Sequence, residues 1–428
     1  MLPPTGDFQH HDTEKLPVPQ TFRAFTMKNI SRFAPILCAF LCLLTGCVTS
    51  SARDTAQTKI VQAQQTIPEE KLLDVGITVF KTTELTEKME KKEGTNPDVR
   101  NAENHYIPYH LKNTLEQSGH WGMVRVTPLT SNAADVLVEG EILESNGETL
   151  TLGITVTDSS GRVWLEEKYK ATVTDKAYLK NIPGEKDPFQ GIYNNIANDM
   201  AQHMNELSAA QIKEIRTISE LRFAKDFAPQ AFNDYLREDQ EGNLTINRLP
   251  ADGDTMIERI LKIREREYMF EDTINEYYEG FYAEMWPPYE NWRELNLTER
   301  VALAEQKRSA LLRKAGGALM IALAIAMQVQ GVYDSAILTG GLVIAGGQVF
   351  LSGVNISKQA KMNYEALQEL GESFGQEMKP MVMEFEGKKY ELRGSAEEQY
   401  KRWRELLREI YYAETGFAPL DVSPTQTP

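Results

Sequence analysis

Residues 27–47 constrain this chain more than any other stretch. Met27-Lys28-Asn29-Ile30-Ser31-Arg32 carries a basic head, Phe33 to Leu44 is an apolar run, and small residues precede Cys47. A basic head, a short apolar middle and small residues at a cut form a secretory signal. The apolar middle is about a dozen residues, short of the roughly 20 that a helix needs to span a bilayer. The protein is therefore expected to fold after export. All three cysteines, Cys38, Cys42 and Cys47, lie in this stretch. The chain beyond Cys47 must be stable without a disulfide framework, a cysteine zinc site or a thiol nucleophile.

Leu44-Thr45-Gly46-Cys47 resembles the bacterial lipobox. The resemblance implies cleavage before Cys47 and acylation of its thiol, palmitate being a typical chain. Each buried methylene adds about 0.8 kcal/mol, so several chains hold a protein to a membrane almost permanently. The next residue, Val48, is not aspartate, which in lipoprotein families implies sorting to the outer membrane. A lipid-anchored protein there, facing the periplasm, is the expectation. Residues 27–46 are then the signal peptide. Residues 1–26 are polar and fit no part of a signal, so Met27 is the expected start and His10-His11 is not expected to hold a metal. Residues 47–70 are rich in Ser, Thr, Gln and Ala and are expected to be a tether.

The net charge of −16 disfavours nucleic acid, which calls for a basic footprint. Beyond the signal lie His105, His110, His120 and His203. No two have the i, i+4 spacing that sets a ligand pair on one helix face. A nucleophile elbow, a P-loop and a dinucleotide fingerprint are all missing from the sequence. No catalytic residue, metal or cofactor is expected, and the chain is not expected to be an enzyme.

Residues 71–175 alternate like strands around one helix. Val75, Ile77 and Val79 share a face; a helix is predicted over 101–117; Trp121 to Val126, and Val136, Val138 and Ile142, begin further strands. Asn146-Gly147 is a hairpin turn between them and Leu150, Leu152, Ile154 and Val156. Ser159-Ser160-Gly161 turns into Arg162 to Val173. The order is β-α-β-β-β-β. With Ala134-Asp135-Val136-Leu137-Val138-Glu139-Gly140-Glu141-Ile142, Leu152-Gly153-Ile154-Thr155-Val156-Thr157-Asp158 and Ser160-Gly161-Arg162-Val163-Trp164, it resembles a small domain of envelope proteins. These are the TolB amino-terminal domain, the curli-channel lipoprotein and the penicillin-binding-protein activator lipoproteins. The resemblance implies a protein-binding domain and brings no catalytic residue with it.

The fold class expected is α+β, with this small domain followed by a mostly helical one over 186–376. Ile192, Ile196, Met200 and Met204 recur at helical spacing, as do Ile212, Ile215, Ile218 and Leu221. Residues 239–254 suggest a polar loop. A long helix is predicted from Thr255 to Met285, stopped by Pro287-Pro288, and Asn296 with Glu299 suggests a capping box that starts the next. Glu265, Glu267, Glu271, Asp272 and Glu276 alternate with Arg259, Lys262, Arg264 and Arg266, which predicts a solvated or salt-bridged face rather than a paired-carboxylate site. Tyr277, Tyr278, Phe281, Tyr282, Trp286, Tyr289 and Trp292 suit core packing, with a glycan- or peptide-binding surface as the sharper alternative.

Residues 315–357 form an uncharged pair of segments split by Asp334. Gly316, Gly317, Ala318, Ala322 and Ala326 in the first, and Gly340, Gly341, Ala345, Gly346, Gly347 and Gly353 in the second, are candidate membrane or oligomer contacts. Small-residue stripes let helix backbones approach closely. A hairpin buried in a soluble bundle, a membrane-inserted hairpin and a homo-oligomer surface all remain open. Residues 381–416 suggest a β-hairpin and a helix capped by Ser395 and Glu398, and 417–428 a disordered tail. The function expected is a structural or assembly component of a cell-envelope complex, working through protein–protein contacts. The alternatives are a membrane-inserting oligomeric pore or secretion subunit and, last, a cell-wall-acting enzyme.

Overall fold

A computed structural model describes residues 53–54, 58–82, 97–128, 133–178, 187–329, 365–370, 378–385 and 388–416. Cys47, residues 330–357 and the tail 417–428 lie outside them, and of 315–329 only the backbone is described. The described residues belong to one compact unit. It begins with a mixed sheet and its helix and becomes mostly helical.

The sheet runs β1 (Arg53–Asp54), β7 (Val163–Thr172), β6 (Thr149–Asp158), β5 (Val136–Ser145), β2 (Val75–Thr78), β4 (Val124–Thr127), with β3 (Lys81–Thr82) also against β5. Strands β5, β6 and β7 are antiparallel; β2, β4 and β3 run parallel to their neighbours, as does β1. Val136, Val138, Ile142, Leu150, Leu152, Ile154, Val156 and Tyr169 point to the buried face, as the alternation of the sequence requires. Between β2 and β3 the Phe80 ring lies over Gly140, where any side chain would collide with it.

Helix α1 (Pro97–Ser118) connects β3 to β4. Helices α2 (Gln190–Glu206) and α3 (Ala209–Phe227) come next, α3 opening with a Ser208–Gln211 capping box. The expected 239–254 loop instead forms part of a short hairpin, β8 (Leu236–Glu238) with β9 (Leu244–Ile246). Strands β10 (Met381–Phe385) and β11 (Lys388–Leu392) pair antiparallel, and α5 (Ala396–Thr415) starts at the Ser395–Glu398 capping box and ends on Gly416 in the left-handed conformation.

Helix α4 corrects two expectations. It runs unbroken from Thr255 to Val329, with Pro287 and Pro288 inside it. A proline in a helix interior removes a hydrogen bond and clashes with the preceding turn, at about 3 kcal/mol. Contacts on both sides of the pair offset this. Tyr278 and Met285 are buried before it; Tyr289 and Arg293 are buried after it. Asn296, expected to cap a new helix, lies in the interior, and its amide donates to the carbonyl of Asn146 (2.9 Å). The Asn146-Gly147 turn rests on α4: Gly147 has φ of 77°, and a side chain there would strike the Arg293 carbonyl.

One core cluster extends from Leu73 to Tyr411, so the sheet and the helices share a single interior. Residues 58–64, part of the expected tether, lie against this unit. Asn194 donates to the Thr58 carbonyl (2.9 Å), Asn198 to that of Lys59 (2.8 Å), and Val61 and Ala63 donate back to Asn198 and Ser118 (both 2.8 Å). Two asparagines one turn apart on α2 thus fasten an extended segment that composition alone marks as free.

Candidate functional site

Helices α1, α2 and α4 enclose a cleft of about 900 Å³, whose further wall is Thr58–Ile60. Each helix contributes residues one turn apart, which places them on one face. These are Tyr109, Asn113 and Gln117 from α1, Gln190 and Asn194 from α2, and Tyr282 and Trp286 from α4. The aromatic residues form a connected wall: the Tyr109 ring lies 5.3 Å from that of Tyr282, which lies 6.2 Å from that of Trp286. Of the aromatic cluster seen in the sequence, Tyr278, Phe281 and Tyr289 belong to the core, whereas Tyr282 and Trp286 also face the cleft.

His110 lies at the base of the cleft. Its Nδ1 meets the Tyr282 hydroxyl (2.7 Å) and its Nε2 the Gln190 Oε1 (2.8 Å). Gln190 donates in turn to Thr114 (3.1 Å) and Asn194 (3.0 Å), so the chain of bonds reaches Thr58. With Gln190 Oε1 as acceptor, Nε2 carries the imidazole proton and Nδ1 accepts from Tyr282. Burial holds His110 below its usual pKa, although nearby Asp187 and the bond to Gln190 oppose this. Burial also pushes the Tyr282 hydroxyl up to about 12.

Asp187, also in the lining, is wholly enclosed and lies 2.9 Å from Arg293 Nη1. Burial alone would raise its carboxyl; the Arg293 guanidinium, His110 and the Phe189 N–H outweigh it and hold the carboxyl below the ordinary range. Arg293 also packs over the Tyr289 ring, 4.2 Å from its centre. The titratable groups at the base of the cleft are thus committed to one another.

Glu267 and Glu271 correct the expectation of a solvated face. Both are buried, and the Tyr400 hydroxyl reaches each (2.6 and 3.2 Å). Arg404 closes the group by joining Glu267 (3.2 Å) to Asp226 (2.5 Å). Burial pushes Glu267 up despite Arg404 and Tyr400. The salt-bridged part of the expectation stands, but the partner comes from α5 and not from the same helix. Arg125 likewise grips Asp272 with two bonds (2.6 and 3.2 Å).

Gly316, Gly317, Ala318, Ala322 and Ala326 fall on the backbone of α4, while Gly340, Gly341, Ala345, Gly346, Gly347, Gly353 and the lipidation candidate Cys47 lie outside the described residues. Among the described residues no helix is long and apolar enough to cross a membrane, and no group of three His, Cys, Asp or Glu side chains is placed to hold a metal ion. The cleft residues Asn113, Gln117, Gln190 and Asn194 are not evident from the sequence; their spacing of four on two helices is the only signal they leave.

No protein-family model matches the chain, and no curated protein matches it. Among solved structures it is distantly similar to a PelC dodecamer from Paraburkholderia phytofirmans, at 15% identity and a TM-score of 0.21, over 37% of this chain and 100% of that one. It is also similar to protein XCC0632 from Xanthomonas campestris, at 11% identity and a TM-score of 0.16, over 38% of this chain and 92% of that one. Likeness at this level assigns no function.

Proposed function

We propose that this chain is a non-enzymatic, lipid-anchored assembly component of the cell envelope, held by Cys47 and making its contacts through the end of α4 and residues 315–357. One observation carries the reading. α4 is 75 residues in one helix, on the order of 110 Å at 1.5 Å per residue. As far as Arg300 it is fixed to the unit through Arg264, Asn275, Arg293, Asn296 and Arg300. Beyond that point residues 301, 302, 304–306, 308 and 310 are exposed, and the helix runs on into the uncharged stretch that begins at Ala315. An exposed arm leading from a packed unit to a small-residue segment presents that segment to a second surface. Gln328, Gln330, Gln348 and Asn355 suit a protein surface better than lipid, where each unpaired amide costs several kcal/mol.

The commitment of His110 and Asp187 to internal partners supports a binding role over a catalytic one. A photo-crosslinking amino acid placed at Glu305 or Gln306 in living cells tests the reading. Discrete heavier adducts are expected, and they should vanish when residues 315–357 are deleted. Adducts unchanged by that deletion contradict it. The adduct mass separates a second copy of this chain from a different envelope protein.

A further inference from the structure

The cleft between α1, α2 and α4 has the chemistry of a ligand site. We propose that it binds a neutral saccharide. The inference does not depend on the adaptor reading, which concerns the other end of α4.

Charge is the first argument. The ionic residues of the lining are Lys59, Asp187 and Glu279. Asp187 is neutralised by Arg293 at 2.9 Å with both side chains out of solvent. Lys59 and Glu279 are exposed and of opposite sign. Burial disfavours a charge on His110, whose two ring nitrogens are taken by Tyr282 and Gln190. The base of the cleft therefore offers no free charge, and the rim carries one cation and one carboxylate that leave it without net charge, so neither an anion nor a cation is favoured overall.

The two walls supply the second. Tyr109, Tyr282 and Trp286 give flat aromatic surface, and Tyr282 and Trp286 are only half-buried. The electron-rich faces of such rings attract the weakly positive C–H groups on one side of a pyranose. Asn113, Thr114, Gln117, Gln190 and Asn194 bring amides and a hydroxyl, which both donate and accept. A sugar hydroxyl needs both. A purely apolar ligand would strand the amides of Asn113 and Gln117, which have no partner among the described residues, at roughly 1–3 kcal/mol apiece.

Preorganisation is the third. Gln190 is held by His110, Thr114 and Asn194, and Asn194 by Thr58. The side-chain amides of Asn113 and Gln117 have no hydrogen-bond partner among the described residues, although Asn113 is half-buried at the cleft wall. Fixed groups beside unused ones are what a small-molecule site of this size requires. Glycoside hydrolysis needs two carboxyl groups flanking one bond. Asp187 is tied to Arg293, which leaves Glu279 as the one free carboxyl group of the lining among the described residues, an arrangement that suits holding a saccharide rather than cutting it by the usual carboxyl pair.

The test is saturation-transfer NMR on the full lipidated chain, in a detergent without a sugar headgroup. Cellotetraose and tetra-N-acetylchitotetraose serve as neutral probes and tetragalacturonate as the anionic control. Saturable binding of at least one neutral probe is expected, with transfer strongest to ring C–H protons. Trp286→Ala and Asn113→Ala should each weaken it at least 10-fold, and Trp286→Tyr should retain most of it. Asn113→Ala breaks no internal bond, so an unchanged Tm shows that its loss is one of binding. Deletion of 315–357 should leave binding intact. The proposal is overturned if neither neutral probe saturates, if the anionic control binds more tightly, or if Asn113→Ala binds as the parent does.

Discussion

Asn275 on α4 bonds both the backbone N–H and the backbone carbonyl of Val126 on β4, each at 2.9 Å. One side-chain amide thus does what a neighbouring strand would do at an edge that otherwise invites pairing with another chain. Asn275→Ala leaves the Val126 groups buried and unpaired, and should cost about 1–3 kcal/mol in urea unfolding. Asn275→Asp keeps the bond from the Val126 N–H but sets a buried carboxylate oxygen against the Val126 and Glu271 carbonyls, so it should cost at least as much as alanine.

Arg293 and Asp187, 106 residues apart in sequence, are the deepest ion pair among the described residues. Arg293→Met strands a buried carboxylate, and a loss of about 3–5 kcal/mol is expected. The double variant Arg293→Met with Asp187→Asn should recover part of that loss in the same unfolding experiment. Equal losses in the single and double variants contradict the pairing.

Acid should weaken the protein in two stages. His110 is held below its usual pKa, so the unfolded chain takes up that proton first. Its penalty begins as pH falls through the unfolded value of about 6.5. Asp187 is held below the ordinary carboxylate range, so its stabilisation is complete above about 3.9 and is lost as pH falls toward its folded pKa. Urea midpoints measured from pH 8 to pH 3 should decline first below about 6.5 and again below about 4. His110→Gln should reduce the first decline, the remainder coming from His120, which burial also holds below its usual pKa, and should leave the second.

Pro287 and Pro288 make the continuity of α4 measurable. If the helix passes through them, Pro288→Ala restores an N–H to the turn before it and relieves a clash, raising stability by about 1–3 kcal/mol. If the chain instead turned there, alanine would release a restrained segment and the thermal midpoint would fall.

The sequence makes the sheet legible because strand alternation and turn chemistry are local. Leu150, Leu152, Ile154 and Val156 fall on one buried face, and Asn146-Gly147 forms the turn between β5 and β6. The Ser395–Glu398 capping box is equally local and is present as expected. Long-range offsets are what sequence conceals. The end predicted at Pro287-Pro288 fails because Tyr289 bonds Glu103 (2.6 Å) and Arg293 bonds Asp187, beyond the reach of any local rule. The same is true of residues 58–64, fastened by Asn194 and Asn198, and of Glu267, whose partners Tyr400 and Arg404 lie on α5. The cleft is half visible: its aromatics stand out as a cluster, but its amides acquire meaning only when three helices converge.

The most direct test of the central claim is alkaline-carbonate extraction of a Cys47→Ala variant of the otherwise complete chain. If the membrane is held through lipid on Cys47 and residues 315–357 contact protein, this variant should leave the membrane pellet for the supernatant. Retention in the pellet, abolished only when 315–357 is also deleted, would mean that the segment enters the bilayer, and would contradict the lipid-tethered adaptor.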